Sequence, residues 1–574
     1  MSHAEMSTLI AIAVLLPFAG ALAMALAGGE ARFRKVGAAV YAAVSFGVNI
    51  ALMSGFLQHP SRASWGAIRF STLSYPFFLV LNLLAVAAML YAGFRATRAA
   101  RPGLLLAAVP AACGLGAMAV AVTTLLPFIF LWLGVTAVAL LGLVVHGASG
   151  LRGRLRAFIP WLVSDALLVL GAILCASWLK ESSILIKPPS LGNETQTVTV
   201  VALFLASALI RLGVFPLHGW IRDLTARTDP SWSSFFLGSA NFLLAGFRLV
   251  IAMTLLGRLV ATDWGLGLSI AAMFSIVLGP ALALRSNSTS ALISDFYCMQ
   301  AGFLLLALAL FSRTGLESGI FIALTAPLAL TALFMAGGTA GELRGTGALG
   351  QQRLSARLAP AVFGVTLLAG LGLAGAPPLD GFIGKAFTAL ASFDKSGLQR
   401  FYVLAAAACL LALALALVAA VRLLAGSFSG EAPPHGTSKP VWLEGVAPLG
   451  ICTAMLMLGA FPGVLLRNFI GPASKSLFAP GFTGPAVAFK GASAAAAAAL
   501  SHYDAWGAWV AAALIVVAVV ATVSYFASRA RHPSPGPEPR RSPFLGGAEG
   551  DYSAGWPALL RWPGLGGVRK GRLP

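Results

Sequence analysis

The stretch ASALIRLGVFPLHGWIRDLTARTDPSWSSFFLGSANFLLAGFRLV, residues 206–250, decides how the rest of the chain reads. It is apolar enough to lie in a bilayer, yet it carries Arg211, a Phe215-Pro216 pair, His218, Trp220, Arg222-Asp223 and Arg248. Proline inside a helix removes a backbone donor and clashes with the preceding turn, so Pro216 should break this span. Ionisable groups at membrane depth are costly, and they normally face a protein interior or a wet cavity. A broken helix with such groups beside it is one way a transporter builds its central site. The stretch therefore predicts a membrane-embedded ion-handling site.

Composition agrees. The 574 residues are 58% hydrophobic and 10% charged, a balance that the surface of a soluble protein cannot carry. Apolar runs of about twenty residues, the length that crosses a hydrocarbon core, recur from end to end. The alternating segments of a membrane β-barrel are absent. The fold class expected is an all-α polytopic membrane protein of about 15 transmembrane helices. Spans are expected near 8–28, 36–57, 74–94, 104–122, 125–146, 157–179, 197–219, 232–256, 264–284, 289–312, 317–338, 358–393 (broken), 401–424, 443–466 and 505–528.

The net charge of +20 comes from short basic clusters between spans, which argues against a nucleic-acid partner. With the N-terminus outside, 25 of the 39 Lys and Arg fall on the cytoplasmic side, 11 fall opposite, and three lie within spans. That asymmetry follows the positive-inside rule and places the C-terminal tail in the cytoplasm. The expected location is a bacterial cytoplasmic membrane. No basic region precedes the first apolar run, so that run is expected to stay as a span. The five cysteines sit singly in apolar runs without C-x-x-C or zinc spacing, so neither a metal nor a redox cofactor is expected.

A second break is expected in LAGLGLAGAPPLDGFIGKAFTAL, residues 368–390, where Pro377-Pro378 precede Asp380 and Lys385. It lies five spans after the first, an odd number, so the second copy would be upside down. Two inverted five-helix repeats, each with a broken helix, are the expectation. The organisation read is 1–103 N-terminal helices, 104–257 first half and 258–424 second half. After these come 425–528, C-terminal helices with an external segment, and 529–574, a basic Pro/Gly-rich tail able to meet membrane lipids. The Ala-rich run 492–500 reads as an external or interfacial helix.

Four strings carry a family resemblance: FPLHGWIRDL (215–224), GLAGAPPLDGFIGK (372–385), AFIPWLVSDALLVLGAIL (157–174) and STSALISDFYCMQAGFLLLAL (288–308). They resemble the seventh, twelfth, sixth and tenth spans of the antiporter-like subunits of respiratory complex I, multisubunit sodium/proton antiporters and membrane-bound hydrogenases. The likeness covers roughly 75–425. It implies two inverted halves, each with a half-channel, and a midplane row of ionisable groups passing protons between them. Lys385 matches the family's twelfth-span lysine, and Arg211 stands where the family has a seventh-span lysine. The fifth-span glutamate is replaced by Leu133 after Trp132, and the eleventh-span histidine and lysine correspond to Ala326 and Leu330. Arginine keeps its proton, so Arg211 can supply a field or hold an anion but cannot relay protons, whereas a desolvated lysine can exchange one.

The pathway residues expected are Lys385, Arg211, His218, Asp165, Asp295, Asp380 and Arg248. Asp165 within its span needs a cationic partner, with Arg211 the candidate. Asp380 reads as a partner of Lys385 or a cap of the second half-helix, and Arg248 as a snorkelling or structurally paired arginine. The function implied is proton or cation translocation by a membrane subunit of a larger complex. Its partners would be other membrane subunits and a cytoplasmic redox or carbon-hydrating module. Alternatives are the membrane subunit of a DAB-type inorganic-carbon uptake complex and a non-conducting scaffold descended from a pump. No nucleophile elbow, phosphate loop or metal spacing points to catalysis by the chain alone.

Overall fold

The computed structural model describes residues 3–27, 30–58, 63–95, 102–122, 124–145, 151–179, 194–259, 261–350, 353–356, 359–396, 400–430 and 442–477. The chain opens with helices α1 (His3–Ala27) and α2 (Ala31–Gln58). A two-stranded hairpin, β1 (Ser64–Trp65) and β2 (Ile68–Arg69), leads to α3 (Ser74–Phe94). Next come α4 (Pro102–Ala121), α5 (Leu125–Val145), α6 (Leu151–Leu174) and α7 (Glu194–Leu212). A short α8 (Gly219–Arg227) and α9 (Pro230–Trp232) lead through a π-helical stretch, Ser233–Asn241, into α10 (Phe242–Leu259). Then follow α11 (Ala261–Ala283), α12 (Thr289–Ala309), α13 (Arg313–Arg344), α14 (Pro360–Ala374), α15 (Asp380–Ser396) and α16 (Phe401–Phe428). α17 (Trp442–Ala460), α18 (Pro462–Leu465) and α19 (Gly471–Leu477) end the described chain.

Among the described residues, 12 helices are long and apolar enough to cross a membrane, or up to 13 if a bent pair counts as one span. α14 and α15, on either side of Gly375–Leu379, form the broken span that the double proline predicts. The span expected near 443–466 is met by α17, which is interrupted before its expected end. Its helix stops at Ala460 and the chain bends by 84° into Pro462–Leu477. Pro462 cannot continue the helix and begins the next one instead. α13 overruns its expected 317–338. Ser312 Oγ accepts from Gly315 N at 3.0 Å and caps its first turn, and left-handed Gly345 ends it. The expected span at 505–528, the Ala-rich run and the tail lie outside the described residues.

α12, α13 and the π-helical span running into α10 are buried almost from end to end and form the centre. α1, α2, α5, α6 and α16 surround them and expose large apolar side chains such as Leu22, Phe46, Phe130, Ile173 and Leu410. In lipid such a face costs nothing. Helix association there depends on close approach and polar contacts. Ser164 and Ser207 supply one such contact: each hydroxyl donates to the other's backbone carbonyl, at 2.8 and 2.6 Å, and clamps α6 to α7. At the end of α3, Arg95 is buried. It bonds Glu342 at 2.5 Å, Asp229 at 3.5 Å and the Tyr91 hydroxyl at 3.1 Å, and so ties α3 to α9 and α13.

Candidate functional site: two broken helices and the charges beside them

Both breaks begin in the same way. α7 ends at left-handed Gly213 (φ 61°), where Gly213 N donates to Ile210 O and Val214 N to Leu209 O. α14 ends at left-handed Gly375 (φ 78°), where Gly375 N donates to Gly372 O and Ala376 N to Leu371 O. This is the Schellman pattern, which needs a residue without Cβ at the left-handed position. Each break also contains a cis X-Pro bond, Phe215-Pro216 and Pro377-Pro378. The terminal carbonyls then point into protein with no further helix to receive them, so side chains must.

At the second break the receiving group is Lys385 of α15. Its Nζ donates back across the break to Leu373 O and, at 3.4 Å, to Gly372 O. Gln300 Nε2 of α12 donates to the same Leu373 O at 2.9 Å, and the ring of Phe303 lies 5.7 Å from the ammonium. A cation at a helix C-terminus also meets the negative end of the dipole. Asp380 is buried. Its Oδ1 accepts from Gly381 N at 2.8 Å, while Oδ2 has no hydrogen-bond partner. Lys385 is therefore fully buried and held by backbone carbonyls, with the carboxylate close by but unbonded to it.

At the first break the residue reaching back is Trp220 of α8, whose Nε1 donates to Ile210 O at 3.1 Å. Asn241 Nδ2 covers the next carbonyl, Arg211 O, at 2.9 Å and also donates to the Tyr297 hydroxyl at 2.8 Å. The Phe215 amide inside the break finds Ser275 Oγ of α11 at 3.0 Å. His218, half-buried, lies beside the Phe215 ring, and its Nδ1 has no hydrogen-bond partner.

The Arg211 guanidinium turns away from the break into a cage between α5, α6 and α10. It bonds Asp165 Oδ1 at 3.2 Å, Thr136 Oγ1 at 2.8 Å and Trp161 O at 3.4 Å, and it stacks 3.9 Å over the Trp161 ring. Asp165 also accepts from Trp132 Nε1 at 3.1 Å. Position 133 is Leu here, and the carboxylate that meets Arg211 and Trp132 is Asp165 of α6. Arg248 is buried rather than snorkelling. It stacks 3.9 Å over Trp132 and donates through Nη2 to Ser164 Oγ and Ser207 O at 3.1 and 3.3 Å.

The expected residues therefore fall into separate groups. Asp165, Arg211 and Arg248 share one aromatic cage, and Lys385 and Asp380 share the second break. Asp295 stands apart on α12, buried, where it accepts from Ser286 Oγ at 2.5 Å and from half-exposed Arg222 at 3.3 Å. Trp132, Trp161, Trp220, Asn241 and Arg222 were not assigned roles by sequence. Trp220 and Arg222 stood out beside Pro216 and Trp132 marked the fifth-span string, but Trp161 and Asn241 carried no signal.

Residues 124–411, half of the chain, match the family described as NADH:quinone oxidoreductase/Mrp antiporter, TM. The NADH-quinone oxidoreductase subunit 13 of Thermus thermophilus is 28% identical over 338 residues, which is 58% of this chain and 69% of that one. Subunit N of Heliobacterium modesticaldum is 24% identical over 49% of this chain and 57% of its own length. The Na(+)/H(+) antiporter subunit A1 of Staphylococcus aureus is 23% identical over 50% of this chain and 38% of its own. The matches to the last two thus leave much of those relatives uncovered. Among solved structures, the Mrp complex from Dietzia superimposes with a TM-score of 0.71 at 19% identity, covering 84% of this chain and 99% of that one. Respiratory complex I from Thermus thermophilus gives 0.68 at 22%, covering 83% and 100%. At such identities these likenesses establish the fold, and the sequence match establishes the lineage. The chain is a multi-pass, antiporter-like membrane protein, and it belongs to the NADH:quinone oxidoreductase/Mrp antiporter family.

Proposed function

We propose that this chain translocates protons or another cation as one membrane subunit of a multisubunit complex of the NADH-quinone oxidoreductase or Mrp kind, with Lys385 as the exchanging group and Asp380 as its acid neighbour. The observation that carries this reading is the seat of Lys385. Its amine is buried in a helix break and held by the carbonyls of Gly372 and Leu373. A lysine held in this way can give up a proton without leaving a bonded carboxylate behind, and the neutral amine still has two N–H donors for the same carbonyls. Arg211 cannot exchange protons and acts through its field. Asp295 with Arg222, and His218 beside the first break, supply further polar steps. In this reading the halves 104–257 and 258–424 are the inverted pair, with the N-terminus outside and the tail cytoplasmic. The other membrane subunits, and a cytoplasmic redox or carbon-hydrating module, would couple the flux to chemistry.

The test is proton flux into liposomes holding the chain with its co-purifying partners and an internal pH dye. Wild type should conduct and Lys385→Ala should not. An unchanged flux in the variant would remove Lys385 from the mechanism. Absence of flux in both would favour the scaffold.

A further inference from the structure

A second lysine on α15 closes a helix end as Lys385 does. Lys395 stands ten residues on, about 15 Å further along the helix, and is half-buried. Its Nζ donates to Leu310 O at 2.8 Å. Leu310 is the C-cap of α12, so this is an end carbonyl of that helix, as Leu373 O is of α14. The ring of Tyr402 on α16 lies 4.4 Å from the ammonium, just as the ring of Phe303 lies beside Lys385. Among the described residues neither lysine is bonded to a carboxylate. Glu317, at the start of α13, is already paired with Arg313 at 2.9 Å.

Polar side chains join the two seats. Positions 385, 388, 392 and 395 recur at three- and four-residue intervals and so share one face of α15. Thr388 and Ser392 are buried, and Ser318 of α13, also buried, meets Thr388. The Ser318 and Thr388 hydroxyls lie 2.8 Å apart, and each also reaches Gly384 O, at 2.6 and 2.9 Å. This pair has two arrangements. Either Ser318 bonds the carbonyl and Thr388 bonds Ser318, or the roles are exchanged, and both leave every donor met. Ser392 Oγ donates to Thr388 O at 2.8 Å and keeps its lone pairs for another donor. We infer that Lys395 is a second proton-exchanging group, joined to Lys385 through Thr388, Ser318 and Ser392, and opening to solvent at the end of α15 away from the break. This role rests on the exchange at Lys385 and adds the route by which its proton leaves or arrives. In one direction, the Lys385 ammonium gives up one proton. Each hydroxyl, and a water in each one-turn gap of about 5–6 Å, accepts one proton and passes one on. The neutral amine of Lys395 takes up the last and releases it to water. A proton has then moved and no hydroxyl has changed its charge.

Proton flux into liposomes tests it, with the full chain and its co-purifying partners, and with wild type and Lys385→Ala measured alongside. Lys395→Gln, whose amide can still reach Leu310 O, should cut flux about 100-fold, the usual contribution of a placed proton-transfer group. Lys395→Arg keeps both the charge and the cap but holds its proton, so it should be as slow as Lys395→Gln. Thr388→Val should also slow flux, and Thr388→Ser, which returns the hydroxyl, should recover most of it. All four variants should stay monodisperse. Flux restored by Lys395→Arg would mean a static cap or charge and would overturn the relay. Normal flux in Lys395→Gln, with Lys385→Ala silent, would overturn the relay and leave Lys385 in place. Flux that survives Lys385→Ala, or that is absent from wild type, would remove the role of Lys385 and the relay with it.

Discussion

At residues 213–218 the indole of Trp220 reaches back from α8 to Ile210 O, whereas at 375–379 the ammonium of Lys385 reaches back from α15 to Gly372 and Leu373. The backbone beneath is alike. Each upstream helix ends in a Schellman turn at a left-handed glycine, and in each a side-chain amide covers a terminal carbonyl, Asn241 on Arg211 O and Gln300 on Leu373 O. The closing donor differs: the indole N–H does not titrate, while the ammonium can. The first half keeps its cations out of the break, caged against Trp132 and Trp161 with Asp165. One structural device is thus closed at the first break by a donor that does not titrate and at the second by one that can.

The largest test of this contrast removes the caged cation. Arg211→Ala would strip buried Asp165 of the guanidinium bonded to it, leaving Arg248, which stacks on Trp132, as the remaining cation of the cage. The expected loss is about 3–5 kcal/mol, the usual cost of stripping one partner from a buried pair. Chemical unfolding in detergent would measure it, and adding Asp165→Asn to the same chain should restore most of the loss. A single mutant as stable as wild type would mean that Arg211 is not the structural counter-charge. The contrast would then collapse, with both halves holding a free cation.

A smaller effect separates the two breaks directly. Gly213→Ala and Gly375→Ala each force a side chain into the left-handed region, at about 1–2 kcal/mol apiece. At 213 the new methyl meets the flexible end of Ile221. At 375 it meets Leu413 Cδ2 at 2.8 Å and Lys385 Cδ at 3.1 Å. The two variants should lose similar stability, but on the proposed role of Lys385 only Gly375→Ala should also lower flux, because only there does the methyl push on Lys385. Equal flux in both would show that the seat of Lys385 tolerates displacement.

The sequence makes legible what proline, glycine and hydropathy write locally. Pro216 and Pro377-Pro378 mark the breaks, long apolar runs mark the spans, and Asp165 within a span demands a cation that Arg211 provides. It hides what depends on distant partners. Arg248 stacks on a tryptophan more than a hundred residues earlier, and uniformly apolar helices give no periodic signal to say which face carries it inward. Arg95 reads as one more basic residue at a cytoplasmic helix end, yet it is buried as the tie to Asp229 and Glu342. Gln300 stands out in its motif, but its acceptor, Leu373 O, is a backbone atom and so leaves no mark in the sequence.

The smallest expected effect is the most discriminating for the role of the indole. Trp220→Phe keeps an aromatic ring, smaller than the indole, against Trp161 and removes one N–H···O bond, the one that closes the first break. Ile210 O would keep its bond from Gly213 N, so the carbonyl would not be orphaned. The net loss should be about 1 kcal/mol, the worth of a neutral hydrogen bond, with flux unchanged. Lys385→Met removes the corresponding closure at the second break and should end flux at a comparable cost in stability. If Trp220→Phe also ended flux, the first break would be a working part of the pathway. The division between a fixed half and an exchanging half would then give way to two coupled gates.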